Sequence, residues 1–136
     1  MSEPFDSVPR LPHAAPFLLL DRAVDIGERG GTFVKLVSAA DPCVGRDGRL
    51  PAAFVLEALA QGGGAFLAAR GGNSPGGGYL AAVDDFRMVS DVRVGDELRV
   101  EVEIVRHFAG AVLFRGRALV DGRLAAEGRI TLKPPR

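Results

Sequence analysis

From residue 51 the chain reads Pro51-Ala52-Ala53-Phe54-Val55-Leu56-Glu57-Ala58-Leu59-Ala60-Gln61-Gly62-Gly63-Gly64-Ala65-Phe66-Leu67-Ala68-Ala69-Arg70. Almost every position is apolar or small, and the stretch is long enough for about five turns of α-helix. Pro51 stands where a helix tolerates a missing N–H, and Gly71-Gly72 mark the stop. A helix without a polar face is expected to be surrounded by protein on all sides. It does not read as a membrane span, because Glu57, Gln61 and the three glycines 62, 63 and 64 interrupt it.

What surrounds such a helix follows from the rest of the chain. Ala23–Ile26 and Thr32–Ser38 flank a glycine-bearing turn at 27–31, the pattern of a hairpin. Leu98, Val100, Val102 and Ile104 alternate with Arg99, Glu101 and Glu103, as a half-buried strand requires. Val112-Leu113-Phe114 and Ala118-Leu119-Val120 follow, then the turn pair Asp121-Gly122, and Leu124–Leu132 returns as the last strand. Phe17-Leu18-Leu19-Leu20 fits a strand or a helical turn. One buried helix followed by a meander of long strands implies an α+β fold in which an antiparallel sheet wraps around the helix.

Composition narrows the function. The 136 residues suit one domain, and 17 basic residues balance 17 acidic ones, so no basic face for nucleic acid is expected. The N-terminal residues carry Glu3 and Asp6 and no apolar segment, so no signal peptide is read there. A single cysteine, Cys43, suits a reduced, cytoplasmic setting, and no membrane association is expected. Asp47 and Asp84-Asp85 lack ligand spacing, so neither a metal nor another cofactor is expected.

Glu57 is the sharpest candidate. A carboxylate in an apolar helix costs several kcal/mol, roughly, if left ionised and alone. It must be paired, protonated or sited at a cavity. Gln61 lies one turn later on the same face, and Gly64 continues the stripe. Each interior glycine costs about 1 kcal/mol relative to alanine, which a close-approaching backbone or a slender ligand would explain. The plainer reading pairs Glu57 with an arginine such as Arg22 or Arg87 and gives the glycines to helix packing at a dimer interface.

Leu11-Pro12-His13-Ala14-Ala15-Pro16-Phe17-Leu18-Leu19-Leu20-Asp21-Arg22 resembles the opening motif of the β-hydroxyacyl-[acyl-carrier-protein] dehydratases. Glu57-Ala58-Leu59-Ala60-Gln61 resembles their central-helix motif, and Gly95-Asp96-Glu97-Leu98 and Ala118–Gly122 resemble their later strands. The resemblance spans nearly the whole chain and implies a hotdog fold that dimerises through its sheet edges. It also implies acid–base dehydration of a 3-hydroxyacyl thioester, with a histidine as base and a carboxylate as acid across the dimer. The acid carries over onto Glu57, and Gln61 matches the motif's glutamine.

The family's Gly-His-Phe-Pro segment is not here. An ungapped alignment from Glu57 sets Cys43 at the histidine's place, and a deletion in the loop is the other reading. Pro51-Ala52 stand where backbone amides would face a thioester oxygen. The form Gly48-Arg49-Leu50-Pro51-Ala52 is more similar to divergent dehydratase-like proteins of aryl-polyene and polyketide pathways.

The expected substrate is therefore an acyl thioester on acyl carrier protein or CoA. The chain is expected to pair with itself or with a homologous dehydratase. Glu57 is the expected acid, and His13 is a candidate replacement for the base or else a structural residue. Gln61, Pro51, Ala52 and Cys43 are expected near the thioester. Cys43 as nucleophile competes with Cys43 as a small buried hydrophobe, and His107 reads as a surface residue. A non-catalytic subunit and a hotdog thioesterase are the rival functions.

Overall fold

The structure is a computed structural model and describes residues 19–70 and 79–133. Its elements run β1 (Arg22–Ile26), β2 (Gly30–Leu36), α1 (Ala52–Ala69), β3 (Tyr79–Met88), β4 (Glu97–Phe108), β5 (Ala111–Val120) and β6 (Arg123–Lys133). The six strands form one antiparallel sheet in the order β1-β2-β4-β5-β6-β3, with α1 lying against β2 to β6.

Alternation explains the sheet. Leu98, Val100, Val102 and Ile104 of β4 are buried, and on β5 Val112, Phe114, Ala118 and Val120 join them beneath the helix. Charged residues between them, such as Arg99, Glu103, Arg115 and Arg117, are exposed, and the outer side carries ion pairs such as Arg117–Glu101 between β5 and β4 and Arg87–Glu127 and Arg129–Asp85 between β3 and β6. Exposed pairs of this kind add little stability, and their value is to keep that face solvated. The Asp121-Gly122 turn forms as its residues demand, with φ of 51° and 78°. Ala109-Gly110 make a second such turn, at φ of 49° and 76°, between β4 and β5. No strong turn pair marked that hairpin in the sequence.

The glycines of α1 settle its height above the sheet. A Cβ on Gly62 would stand 2.9 Å from Val100 Cγ1, and one on Gly63 would stand 2.8 Å from Leu132 Cδ1 and 3.3 Å from Phe114. Both glycines are buried against side chains of the sheet. For these two positions the close neighbour is the protein's own concave sheet rather than a ligand or a second helix. Gly116 on β5 answers from the other side, where an added Cβ would meet Leu59 at 3.3 Å.

Several expectations need correcting. The helix is buried through its middle, Ala58–Phe66, but Ala52 and Ala53 are exposed and Phe54, Leu56 and Glu57 are half-buried. The single chain therefore leaves one side of the first two turns open. By length and apolarity α1 could cross a membrane, yet over half of it is buried within the fold, as suits a core helix. Pro51 is the N-cap, with ψ of 152°, rather than the first helical residue. Val112–Phe114 and Ala118–Val120 are parts of one strand, because Arg115, Gly116 and Arg117 stay in register with β4 and β6. Leu19 and Leu20 are buried in neither helix nor strand, while Phe17 and Leu18 lie outside the described residues.

The two edges of the sheet differ. Strand β1 has only 5 residues and a bulge between Ala23 and Asp25, which blunts it. Strand β3 has 10 residues and exposes Leu80 and Val83. A bulge between Asp84 and Arg87, with Asp85 at φ 57°, turns Phe86 inward over Gly128, where an added Cβ would lie 2.9 Å from Phe86 Cα.

A bulky residue at position 63 should lift the helix off the sheet. Gly63→Val is expected to lower unfolding free energy by about 1–3 kcal/mol, the usual cost of overpacking. Urea denaturation followed by circular dichroism measures it, and an unchanged midpoint would contradict the packing described.

Candidate functional site

Glu57 sits two turns into α1 on the half-buried side, with Gln61 one turn further along and nearly fully buried at 1 % exposure. The Gln61 side-chain amide donates from Nε2 to Glu57 Oε2 at 3.0 Å. Its oxygen accepts the backbone N–H of Leu19 at 2.8 Å. The glutamine thus ties the acid on the helix to the buried segment that leads into β1. Arg87, suggested as a structural partner for Glu57, instead pairs with Glu127 on β6. Arg22 is an exposed residue of β1.

The helix start is open. Pro51 offers no side-chain cap, and its carbonyl accepts from Phe54 and Val55. The N–H groups of Ala52 and Ala53 precede those first bonds, at exposed positions. Pro51 and Ala52 are thus at the surface, where a ligand could reach them.

The segment before the helix is more ordered than a polar loop suggests. Leu50 donates to Val92 O at 2.8 Å and Val94 donates to Gly48 O at 2.9 Å, which staples it to the connection between β3 and β4. Its root is an ion pair that sequence reasoning passed over. Phe33, Lys35 and Val37 are all buried, so alternation sets Lys35 on the helix side of β2. The Lys35 ammonium meets Asp41 Oδ2 at 2.5 Å, with side chains only 6% and 10% exposed. The other oxygen of Asp41 accepts the Cys43 N–H at 3.0 Å. The signal was present in the i, i+2 spacing of Phe33, Lys35 and Val37, where a lysine occupies a core position.

Burial pushes the Asp41 carboxyl up, but Lys35 and the Cys43 N–H outweigh it and hold the group below its ordinary value. Burial also pushes the Cys43 thiol up, and the neighbouring Asp41 carboxylate pushes it further, against an opposing pull from Lys35. A buried thiol held in its neutral form is neither a ready nucleophile nor a base. Cys43 is 8% exposed and belongs to the core cluster, as a small hydrophobe would.

The candidate residues are therefore brought together only in part. Glu57 and Gln61 form one hydrogen-bonded unit on α1. His13 lies outside the described residues. His107 is exposed near the end of β4, paired across from Val112. Among the described residues no group of three or more His, Cys, Asp or Glu could hold a metal ion.

One helix cupped by a six-stranded antiparallel sheet, with a carboxylate on its half-open side, defines a hotdog domain. Residues 6–136 match the family model described as ApeP-like, ApeP dehydratase. The chain is 37% identical over 107 residues to a 3-hydroxyacyl-[acyl-carrier-protein] dehydratase of Anoxybacillus flavithermus, covering 75% of each chain. It is 38% identical over 109 residues to the dehydratase of the same name from Actinobacillus succinogenes, covering 74% of this chain and 71% of that one. Among solved structures, the dehydratase heterocomplex ApeI:P from Xenorhabdus doucetiae matches with a TM-score of 0.85 at 23% identity, covering 100% and 93% of the two chains. The chain belongs to the ApeP-like dehydratase family, a dehydratase-like branch of hotdog proteins.

The Lys35–Asp41 pair yields a measurable pH dependence. Because the folded Asp41 carboxyl lies below its ordinary value of 3.8, its stabilisation is present above that value and is lost as the pH falls through the lower folded value. Asp41→Asn leaves the lysine buried without its counter-charge and is expected to cost about 3–5 kcal/mol at neutral pH. The difference between wild type and variant should shrink in strong acid, as read by urea titrations across the acid range. A constant difference would show that the pair is not the source.

Proposed function

We propose that this chain is the acid-bearing half of a dehydratase acting on 3-hydroxyacyl thioesters. The observation that carries the reading is Glu57, half-open on an apolar helix and hydrogen-bonded to a buried glutamine, in a chain of the dehydratase family. In the reaction a base takes the proton on the carbon beside the thioester carbonyl. The acid protonates the β-hydroxyl, which leaves as water, and the electron pair closes the trans double bond. Glu57 supplies that proton. The open N–H groups at the start of α1, at Ala52 and Ala53, are suited to the thioester oxygen as charge gathers there. The thioester arrives on acyl carrier protein or CoA in the cytoplasm.

The base is the missing half. The described residues hold one imidazole, His107, at an exposed position near a strand end, and Cys43 is a neutral buried thiol. We therefore assign the base to a histidine of a homologous dehydratase chain, paired along the long apolar edge of β3 so that Glu57 meets that histidine. The blunted β1 edge favours β3 for this contact. Such a heterodimer has one complete acid–base site built with Glu57.

The experiment compares the purified chain alone, a histidine-bearing homologue alone and the two mixed, with a 3-hydroxyacyl thioester and detection of the enoyl product. Dehydration is expected to require the mixture, and Glu57→Gln should lower its kcat by roughly 10²–10⁴-fold, the usual contribution of a general acid. Turnover by this chain alone that disappears in His13→Ala would instead place the base at His13. Release of thiol without enoyl product would turn the reading to a thioesterase. Retained activity in Glu57→Gln would remove the acid role.

A further inference from the structure

The chain enters α1 through a closed frame of bonds, and one side of that frame is made by charge. Just past the end of β2, Val37 N–H donates to Asp96 O at 2.9 Å, and Gly95 N–H donates to Val37 O at 2.8 Å. These bonds tie the β3–β4 connection to the strand. The connection in turn holds the segment before the helix, through Leu50 N–H to Val92 O and Val94 N–H to Gly48 O. Pro51, the N-cap of α1, follows Leu50 directly. On the remaining side the chain leaves β2, turns at 38–44 and runs on to Gly48. Asp41 fastens that turn back to the strand, through the Lys35 ammonium two residues before Val37.

The backbone-made sides of the frame need no particular side chain, but the Lys35–Asp41 side does. Apolar residues of similar size could replace a buried pair with little or no loss of stability. What they could not replace is its direction. Asp41 accepts from Lys35 with one oxygen and from the Cys43 N–H with the other, whereas apolar contact is non-directional. Without the pair the turn can settle in more than one place, and the helix start shifts with the frame that carries it. A displacement of about 1 Å at a reacting centre can cost roughly 10²-fold in rate.

We infer that Lys35 and Asp41 are positioning residues: their buried pair holds the frame in one shape and so sets the Ala52 and Ala53 N–H groups where the thioester oxygen is received. The inference rests on the dehydratase reading given above. It gives the pair no contact with substrate, in keeping with side chains only 6% and 10% exposed.

The deciding variant is the double replacement of Lys35→Met with Asp41→Leu, which removes both charges together and leaves no unpaired ion in the core. Its urea midpoint is expected to equal or exceed that of wild type. Mixed with the histidine-bearing homologue and a 3-hydroxyacyl thioester, its kcat should still fall roughly 10- to 100-fold, with KM changed far less. Asp41→Glu keeps the charge pair and should retain much more of the rate than the double variant. Wild-type kcat in the double variant would overturn the inference. So would a loss of rate that only tracks a loss of folded protein, because the pair would then be a stability element.

A readout independent of turnover separates this inference from the function on which it rests. In the chain alone, the backbone amide NMR signals of Ala52 and Ala53 should shift or broaden in the double variant. If they do but no mixture dehydrates the substrate, the dehydratase reading fails and the catalytic role of the pair fails with it, while its hold on the helix start stands. Unmoved signals would mean that the frame does not carry the pair's influence to the helix, and the inference would be wrong.

Discussion

The contact of Gly62 and Gly63 with the concave side of the sheet is the constraint on which the remaining geometry hangs. With hydrogen in place of Cβ, the helix backbone settles against Val100, Val102, Leu132 and Phe114. A helix anchored there has its rotation fixed as well as its height. Gln61 is the residue just before the two glycines and is buried with them; Glu57, one turn earlier, falls on the side where the sheet no longer covers the helix. The glycines therefore place Glu57 without touching it. Their helix propensity cost, about 1 kcal/mol each, is offset by close packing against the sheet.

Depth along the helix then grades the polarity. The middle turns are dry, and Gln61 there has both ends of its amide engaged. The first two turns are open on one side, and there the helix presents an uncapped start and a carboxylate. A carboxylate at such a boundary keeps contact with a solvated edge while one side is held by a buried donor. That avoids the several kcal/mol, roughly, that a fully buried unpaired charge would cost.

Much of this was legible in the residues. The two-residue alternation of β4, the Asp121-Gly122 turn and the largely apolar run of α1 are local patterns, and each formed where its period required. The open side of the helix was not legible, because an apolar helix in a single-chain fold reads the same whether protein or a partner surface covers it. The continuity of β5 was hidden by Arg115 and Arg117, which are exposed on the outer face. A charged residue at every second position is the mark of a half-solvated strand as much as of a break. For the site, Glu57 and Gln61 stood out as polar residues in an apolar run. Lys35 did not, since its charge suggested solvent until the strand phase set it beside Phe33 and Val37. The link from Gln61 to Leu19 joins residues 42 positions apart, and no local pattern encodes it.

The buried ion pair bears on the shape of the segment before the helix. Apolar residues could replace a Lys–Asp pair in a core at little or no loss of stability, so stability alone does not account for its presence. What the pair adds is definition: Asp41 binds the ammonium with one oxygen and the Cys43 N–H with the other, and its carbonyl takes the Val44 N–H at 3.1 Å. A turn held at three points is committed to one shape. The side chain it carries inward, Cys43, sits in the core beside a carboxylate that favours its neutral form. A thiol held in that form is a poor acceptor for a proton from carbon at neutral pH. On the proposed reading, the fold has kept the acid on a precisely packed helix and built the neighbouring turn as a wall, so the proton acceptor must come from a separate segment or a separate chain.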